Sequence, residues 1–464
     1  MNWPTNPAAA PRLAAPADRL KLLSAASILA LIGAALAVAA YRYPPPSLGL
    51  TLAAGLALSG ILALAVARYD AAVALGLLLL GVQAIEPAPP DFVFAIVIAV
   101  AAVTGRFEPT RVPLTIFVTL GSFLVLNLVS AVGAVSASRA AFFFSITLYL
   151  AVFSIWLVGY VNSSRRARLV VIAYLVGAVF SALVGVMALF APLPAEDQLL
   201  YTGQRARALF DDVNVFGPFM VPILLIVLQE MLEPRLIRWR RPLMGAILFL
   251  LAAAILFSYS RAAWLNAIVA IVVFFGVFSV RRGGSRRLVP LLLILVVTVI
   301  AGSFIVSASG SEEFLSQRAT LQEYDVERFE AQDAGIKLAE QHPLGIGPGQ
   351  FEPVVQYAAH STFIRTFTEQ GILGLVAFVG LALSTLVLAG RNAVLGRHTY
   401  GIGSPALLAA WCGLLVNSLF VDTLHWRHLW LVAALIWVGA LRSTGGLASS
   451  AGDQPASSSR YRAR

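Results

Sequence analysis

The sequence predicts an all-α polytopic membrane protein of about 12–14 transmembrane helices. Three observations predict it. Apolar runs of ~17–25 residues, the length that crosses a bilayer core as helix, recur from end to end. The 464 residues are 59% hydrophobic and only 12% charged, where a soluble domain carries about 25% charged residues. The basic residues collect in alternate connecting loops, as they do on the cytoplasmic side of membrane proteins.

In chain order the runs are 22–41, 48–66, 71–84, 91–104, 113–132, 140–161, 168–192, 213–230, 243–260, 261–280, 288–307, 371–390, 405–422 and 427–441. The first has no small-residue cleavage site at its end, so it reads as a retained helix behind a cytoplasmic tail, 1–21. The runs 71–84 and 91–104 are short and joined by a Pro-rich EPAPPD turn, a pattern that fits tilted, re-entrant or broken spans. The transmembrane block 22–307 contains the loop 191–212, and the C-terminal helices occupy 371–441. The Ser/Gly/Ala-rich segment 442–464 reads as a disordered tail. No internal repeat of the transporter kind is present.

With the N-terminus placed inside, cytoplasmic segments hold 23 of the 33 Lys and Arg residues. Both termini then lie in the cytoplasm, and the net charge of +10 is accounted for without nucleic acid. The two long connections, 191–212 and 308–370, fall on the outer face. The lone cysteine, Cys412, lies in an apolar run, which excludes an internal disulfide and a Cys-based metal site.

The loop 308–370 has its own pattern. Asp325 to Glu340 places Val326, Phe329, Asp333, Ile336 and Ala339 along one side, an amphipathic helix. It stops at His342, because the residue before Pro343 is pushed out of the helical region. Gly345, Gly347 and Gly349 then permit a tight irregular turn. From Ser311 to Glu352 nine acids face only Arg318, Arg328 and Lys337, so an anion site should rest on particular arginines.

Arg205 and Arg207 stand at the opening of the span that begins near Asn214. They either snorkel to headgroups or clamp an anion, since guanidinium groups grip diphosphate oxygens as a fork. Asn214 either fixes a ligand oxygen or caps the helix, and capping is the simpler expectation. In Ser258-Tyr259-Ser260-Arg261 a charge meets two spans with no loop to spare, which favours a cavity-facing role for Arg261. His360 and Ser361 follow the Gly/Pro turn and precede Arg365; an imidazole there could take a proton from an acceptor hydroxyl or serve structure alone. Asp422, His425, Arg427 and His428 form a short outer turn that by composition is either a metal site or a hydrogen-bonded rim. Phosphate-binding glycine loops and a nucleophile elbow are missing. Mid-span carboxylates are missing too, which disfavours a proton-coupled pump.

The segments HPLGIGPGQF and AHSTFIRTFTEQGILGL, together with RALFDDVNVFGPF and SYSRAAWL, resemble the signature of the O-antigen ligase/polymerase superfamily of bacterial membrane glycosyltransferases. The motifs cover Arg205 to Leu375. The resemblance implies a polyprenyl-diphosphate-linked glycan donor, a glycan or glycolipid acceptor, and metal-independent inverting transfer without a cofactor. It also implies the outer face of the inner membrane, with membrane lipid and other members of a polysaccharide assembly system as partners. Carried over, Arg207 and Arg261 would bind the diphosphate and His360 would activate the acceptor, with Arg205 and Arg365 as second-rank candidates. From the residues themselves, Asn214, Ser361 and Arg427 are further candidate substrate-binding residues. Ala208 stands where the family commonly has glycine, and Val213 where it often has proline. A flippase for a lipid-linked glycan is the alternative from another class, and a non-catalytic assembly scaffold is a third.

Overall fold

A computed structural model describes residues 48–191, 193–202, 204–282 and 323–449. The described helices are α1 (Leu48–Ala67), α2 (Tyr69–Leu79), α3 (Pro89–Val103), α4 (Leu114–Ser130), α5 (Ala137–Tyr160), α6 (Ser164–Met187), α7 (Val213–Leu232), α8 (Arg241–Phe257), α9 (Arg261–Arg282), α10 (Glu323–Gln341), α11 (Thr362–Val394), α12 (Ser404–Phe420) and α13 (Arg427–Ser449), besides some one-turn pieces. Two antiparallel hairpins of two-residue strands are the only strands among the described residues. Six helices are long and apolar enough to cross a membrane, and six shorter apolar helices accompany them. The fold is all-α and polytopic. A helix lies on each of the twelve predicted runs that fall within the described residues. The runs 22–41 and 288–307, the tail 1–21 and residues 308–322 lie outside them.

α7 is the axis of the bundle. In its apolar window 83% of residues are buried, against 28% in α4 and α9. It packs on α8, α9, α12 and α6, and α9 in turn packs along α12. The outer helices keep apolar side chains exposed, among them Phe117, Val118, Phe180, Val272 and Val387. A bilayer solvates such a surface; water would not. A buried aromatic group, Phe94, Phe153 and Trp156, joins α3 to α5. At the foot of α7 the buried Glu230 carboxylate accepts the backbone N–H groups of Arg235, Leu236 and Ile237 at 2.8–2.9 Å, which satisfies a buried polar group.

Three expectations are corrected. The helix expected from residue 371 begins at Thr362, so the end of the predicted loop 308–370 is helical. Residue 371 marks a break inside it: Gly371 adopts φ 69°, ψ −174°. There the Gly/Pro turn closes against the helix, with Ile372 N–H bonded to the Pro343 carbonyl at 3.3 Å. α13 continues to Ser449, into the segment expected to be disordered, because extending a formed helix costs little per residue. α10 exists with nearly the predicted ends, but of the predicted stripe only Ala339 is buried. Val326, Phe329 and Ile336 are exposed, while Ala331, Gly335 and Ala339 are buried. The stripe of small residues lets α10 approach closely, and Thr368 Oγ1 donates to the Gly335 carbonyl at 2.9 Å.

A Cβ at position 371 would strike the Pro343 carbonyl, and the backbone there favours glycine. Gly371→Ala is therefore expected to destabilise the protein by about 1–3 kcal/mol from backbone strain alone, read as a lower midpoint of thermal unfolding in detergent.

Candidate active site at one mouth of the bundle

Every motif residue lies at the same end of the bundle: the start of α7, the α8–α9 turn, the start of α11 and the α12–α13 connection. The first segment is a hairpin, Leu200–Tyr201 paired with Arg205–Ala206, leading into α7. Arg207 donates to three carbonyls of its own loop, Gln198 and Asp197 at 3.1 Å and Asp211 at 3.3 Å. Carbonyls orient the guanidinium without neutralising its charge. Asp212, not Asn214, caps α7, its carboxylate accepting Asn214 N–H at 2.8 Å. The cap expectation for Asn214 is thus off by two residues, because the chain turns into the helix one step before Val213. That leaves the Asn214 amide to bridge Asp212 at 3.1 Å and Ser260 Oγ, which donates to it at 2.7 Å.

The α8–α9 turn is where two motifs meet. Arg205, nearly buried, donates from Nε to the Ser258 carbonyl at 3.1 Å. Ser260 holds Asn214 and also accepts from Ala263 N–H at 3.3 Å, opening α9. Arg261 is the first residue of α9 and is partly exposed. Gly217 permits this approach, since a Cβ there would lie 2.7 Å from Ser258 Oγ and from Ala263 Cβ. Arg205, Asn214 and Arg261 are therefore brought together on one turn.

Three motif residues share an unusual backbone. Ala208 (φ 51°), Tyr259 (φ 48°) and His360 (φ 45°) are left-handed, a region costly for residues with a side chain. The backbone at Ala208 is one that glycine adopts without strain.

His360 follows the Gly/Pro turn and the short helix Phe351–Val355. Its ring packs edge-on to Tyr357, 5.7 Å between centroids, and is half-buried. Burial, helped by the charge of Arg328 and opposed by Asp422, pushes its pKa down to about 4, so the imidazole is neutral at neutral pH. Arg328 lies on α10, hydrogen-bonds to Tyr357, and its charge also acts on Asp212, as does that of Arg205. Arg328 is thus within electrostatic reach of both His360 and the arginine-bearing turn. Sequence reasoning counted it only as an outer-face arginine. Gln332 of the same helix donates to the Ala359 carbonyl at 3.3 Å, next to His360.

Other expected site residues have structural partners. Ser361 is the N-cap of α11, accepting Ile364 N–H at 3.4 Å. Arg365 is buried and paired with Glu369 (3.2 Å), Asp422 (2.5 Å) and Glu352 (2.9 Å). Arg427 is buried and paired with Glu86 (2.8 Å) and Asp91, tying α13 to the loop before α3. Neither guanidinium has charge to spare for a substrate anion. Asp422, His425 and His428 diverge. Asp422 binds Arg365, His425 Nε2 lies 3.1 Å from Thr147 Oγ1, and His428 stacks on Trp426. Among the described residues no three His, Cys, Asp or Glu side chains are placed to share a metal ion.

The family model described as O-Antigen ligase matches residues 246–379, from within α8 to the middle of α11. This match supports the resemblance of the chain to the O-antigen ligase/polymerase superfamily. The matched segment includes Arg261, Arg328, the Gly/Pro turn and His360, and it supports glycosyl transfer of O-antigen ligase/polymerase type. Arg205, Arg207 and Asn214 precede the matched O-antigen ligase region, and Arg205 and Asn214 reach it through the Ser258 and Ser260 contacts. No curated protein matches the chain.

Removing the shared cation strands three carboxylates at this mouth. Arg365→Ala should cost about 3–5 kcal/mol, and Asp422→Asn, which weakens one pair of three, clearly less. Thermal unfolding of the two purified variants measures the difference.

Proposed function

We propose that the protein is a metal-independent, inverting glycosyltransferase that moves a polyprenyl-diphosphate-linked oligosaccharide onto a hydroxyl of a glycan or glycolipid acceptor. The reaction runs at the extracytoplasmic face of the bacterial inner membrane, with both termini cytoplasmic. The observation that carries this reading is Arg328: its charge acts on the half-buried His360 and on Asp212 at the arginine-bearing turn. A neutral imidazole and a group of guanidiniums within reach of one another are what this transfer needs.

In the step, the acceptor oxygen attacks the anomeric carbon as the bond to the diphosphate oxygen breaks. His360 takes the acceptor proton, and the diphosphate leaves with the bonding electron pair. Arg261, Arg207 and Arg205 face the charge that develops on it. One such donor contributes ~3 kcal/mol in a dry site, and a positioned base roughly 10²–10⁴-fold. An imidazole with a pKa near 4 is a weak base, so it takes the proton late, once the acceptor oxygen has begun to bond. Asp422, whose charge acts on His360 in the opposite sense to that of Arg328, favours the imidazolium that forms. Donor diphosphate beside Arg328 offsets the charge that depresses His360 and makes it a stronger base when the donor is bound. Asn214 and Ser361 hold the turn and helix end that carry these groups, while Arg365 and Arg427 fasten the scaffold.

His360→Ala and Arg261→Ala should each abolish transfer in purified full-length protein while insertion and amount stay normal; unchanged product from both refutes the mechanism. For the pH dependence, a base is lost as pH falls through its pKa. The acid limb of kcat/KM, which reports the protein without donor, should lie near pH 4, and that of kcat at higher pH. In Arg328→Gln the kcat/KM limb should move up, because a charge that disfavours the imidazolium is gone; an unmoved limb counts against the assignment.

A further inference from the structure

A polar cavity lies at the end of the bundle opposite the motif residues. α5 joins the two ends: Arg139 near its start bonds to the Gly349 carbonyl and, at 3.1 Å, to Glu352, while Tyr160 at its end lines the cavity. Along α5 the rise from Arg139 to Tyr160 puts about 32 Å between them. The cavity has a volume of about 640 Å³ and is bordered by Arg68, Tyr69, Arg106, Glu108, Trp156 and Arg166, with Asp70 at its edge. That size suits a small organic ligand.

The charges do not cancel within it. Asp70 is taken by Arg165, by Arg166 at 3.5 Å and by the Tyr160 hydroxyl at 3.1 Å. Glu108 is taken by Arg111, outside the cavity wall. Among the described residues Arg68 and Arg106 have no carboxylate partner and no side-chain hydrogen bond; both are exposed at the rim. The wall beneath them is rigid. Trp156 Nε1 donates to Tyr69 Oη at 2.8 Å, Tyr69 donates to the Val97 carbonyl at 3.2 Å, and Tyr160 stacks on Trp156. Arg106 lies over the Tyr69 ring at 5.1 Å and Arg166 over Tyr160 at 4.7 Å. Stacking occupies the face of a guanidinium and leaves its in-plane N–H fork for an anion. Bare snorkelling to headgroups needs neither a concave site nor an aromatic floor.

We propose that this cavity is a binding site for a phosphate ester. Arg68 and Arg106 grip the phosphate, and the Tyr69–Trp156–Tyr160 wall takes the organic part. The ester is either the headgroup of an anionic lipid or a soluble metabolite, and a matched pair of probes separates the two.

Full-length protein in detergent is titrated with phosphatidylglycerol and, separately, with glycerol 3-phosphate, and bound ligand is counted by native mass spectrometry. Saturable binding of at least one probe is expected, weakened at least tenfold in the double variant Arg68→Gln, Arg106→Gln. Arg168→Gln, at an exposed arginine outside the lining, should bind as the unmodified protein does, and Arg106→Lys, which keeps the charge without the fork, should fall between. Binding of phosphatidylglycerol alone assigns a lipid headgroup, and binding of glycerol 3-phosphate a soluble ester. No binding of either probe, or equal binding by the double variant with an unchanged unfolding midpoint, overturns the site.

Discussion

Arg365 is almost wholly withdrawn from solvent, and a guanidinium so placed must be compensated where it stands. Its three carboxylates come from separate parts of the chain. Glu352 follows the Gly/Pro turn, Glu369 lies one helical turn along α11, and Asp422 belongs to the α12–α13 connection. Glu369 also accepts Gly349 N–H at 2.8 Å and Phe351 N–H at 3.1 Å, so the same network closes the glycine turn on the helix. Arg139 brings α5 in through Glu352. His360 sits between the turn and the helix start that this network locks together. Its left-handed backbone is held from both sides, which is the condition under which strained conformations persist.

The arginines at this mouth therefore divide by task. Arg365 and Arg427 are spent on carboxylates inside the protein. Arg207 is oriented by carbonyls alone, and Arg205 is turned toward the α8–α9 turn by the Ser258 carbonyl. A dipole can aim a cation without cancelling it, whereas a carboxylate does both. Arg207 keeps its charge in this way, and on the proposed reading that charge meets the donor diphosphate.

Much of the fold was legible because its signals are local. Apolar run length gave the helices, His342-Pro343 the end of α10, and Gly345, Gly347 and Gly349 a turn whose glycines all take positive φ. The motif segments pointed to the mouth for the same reason. The illegible parts depend on distant partners or on size. Nothing near Arg365 or Arg427 in the sequence announces that Asp422, 57 residues on from Arg365, or Glu86, 341 residues before Arg427, would claim them. On α10 only Ala339 of the predicted stripe is buried, because bulk and periodicity favour Val326, Phe329 and Ile336 while close packing selects the small Ala331 and Gly335 beside Ala339. Arg328 was overlooked since its importance lies in the two groups its charge reaches, both remote in sequence.

The claim that a histidine and a set of guanidiniums at one mouth carry out glycosyl transfer is tested most directly by reconstitution. Purified full-length protein is placed in lipid vesicles with a polyprenyl-diphosphate-linked oligosaccharide and an acceptor glycan, in the presence of a chelator, and the glycan products are sized. Longer or newly joined glycan, with release of polyprenyl diphosphate, is the expected result. Movement of the donor across the bilayer with its glycan unchanged, or transfer only after a divalent ion is restored, would contradict it.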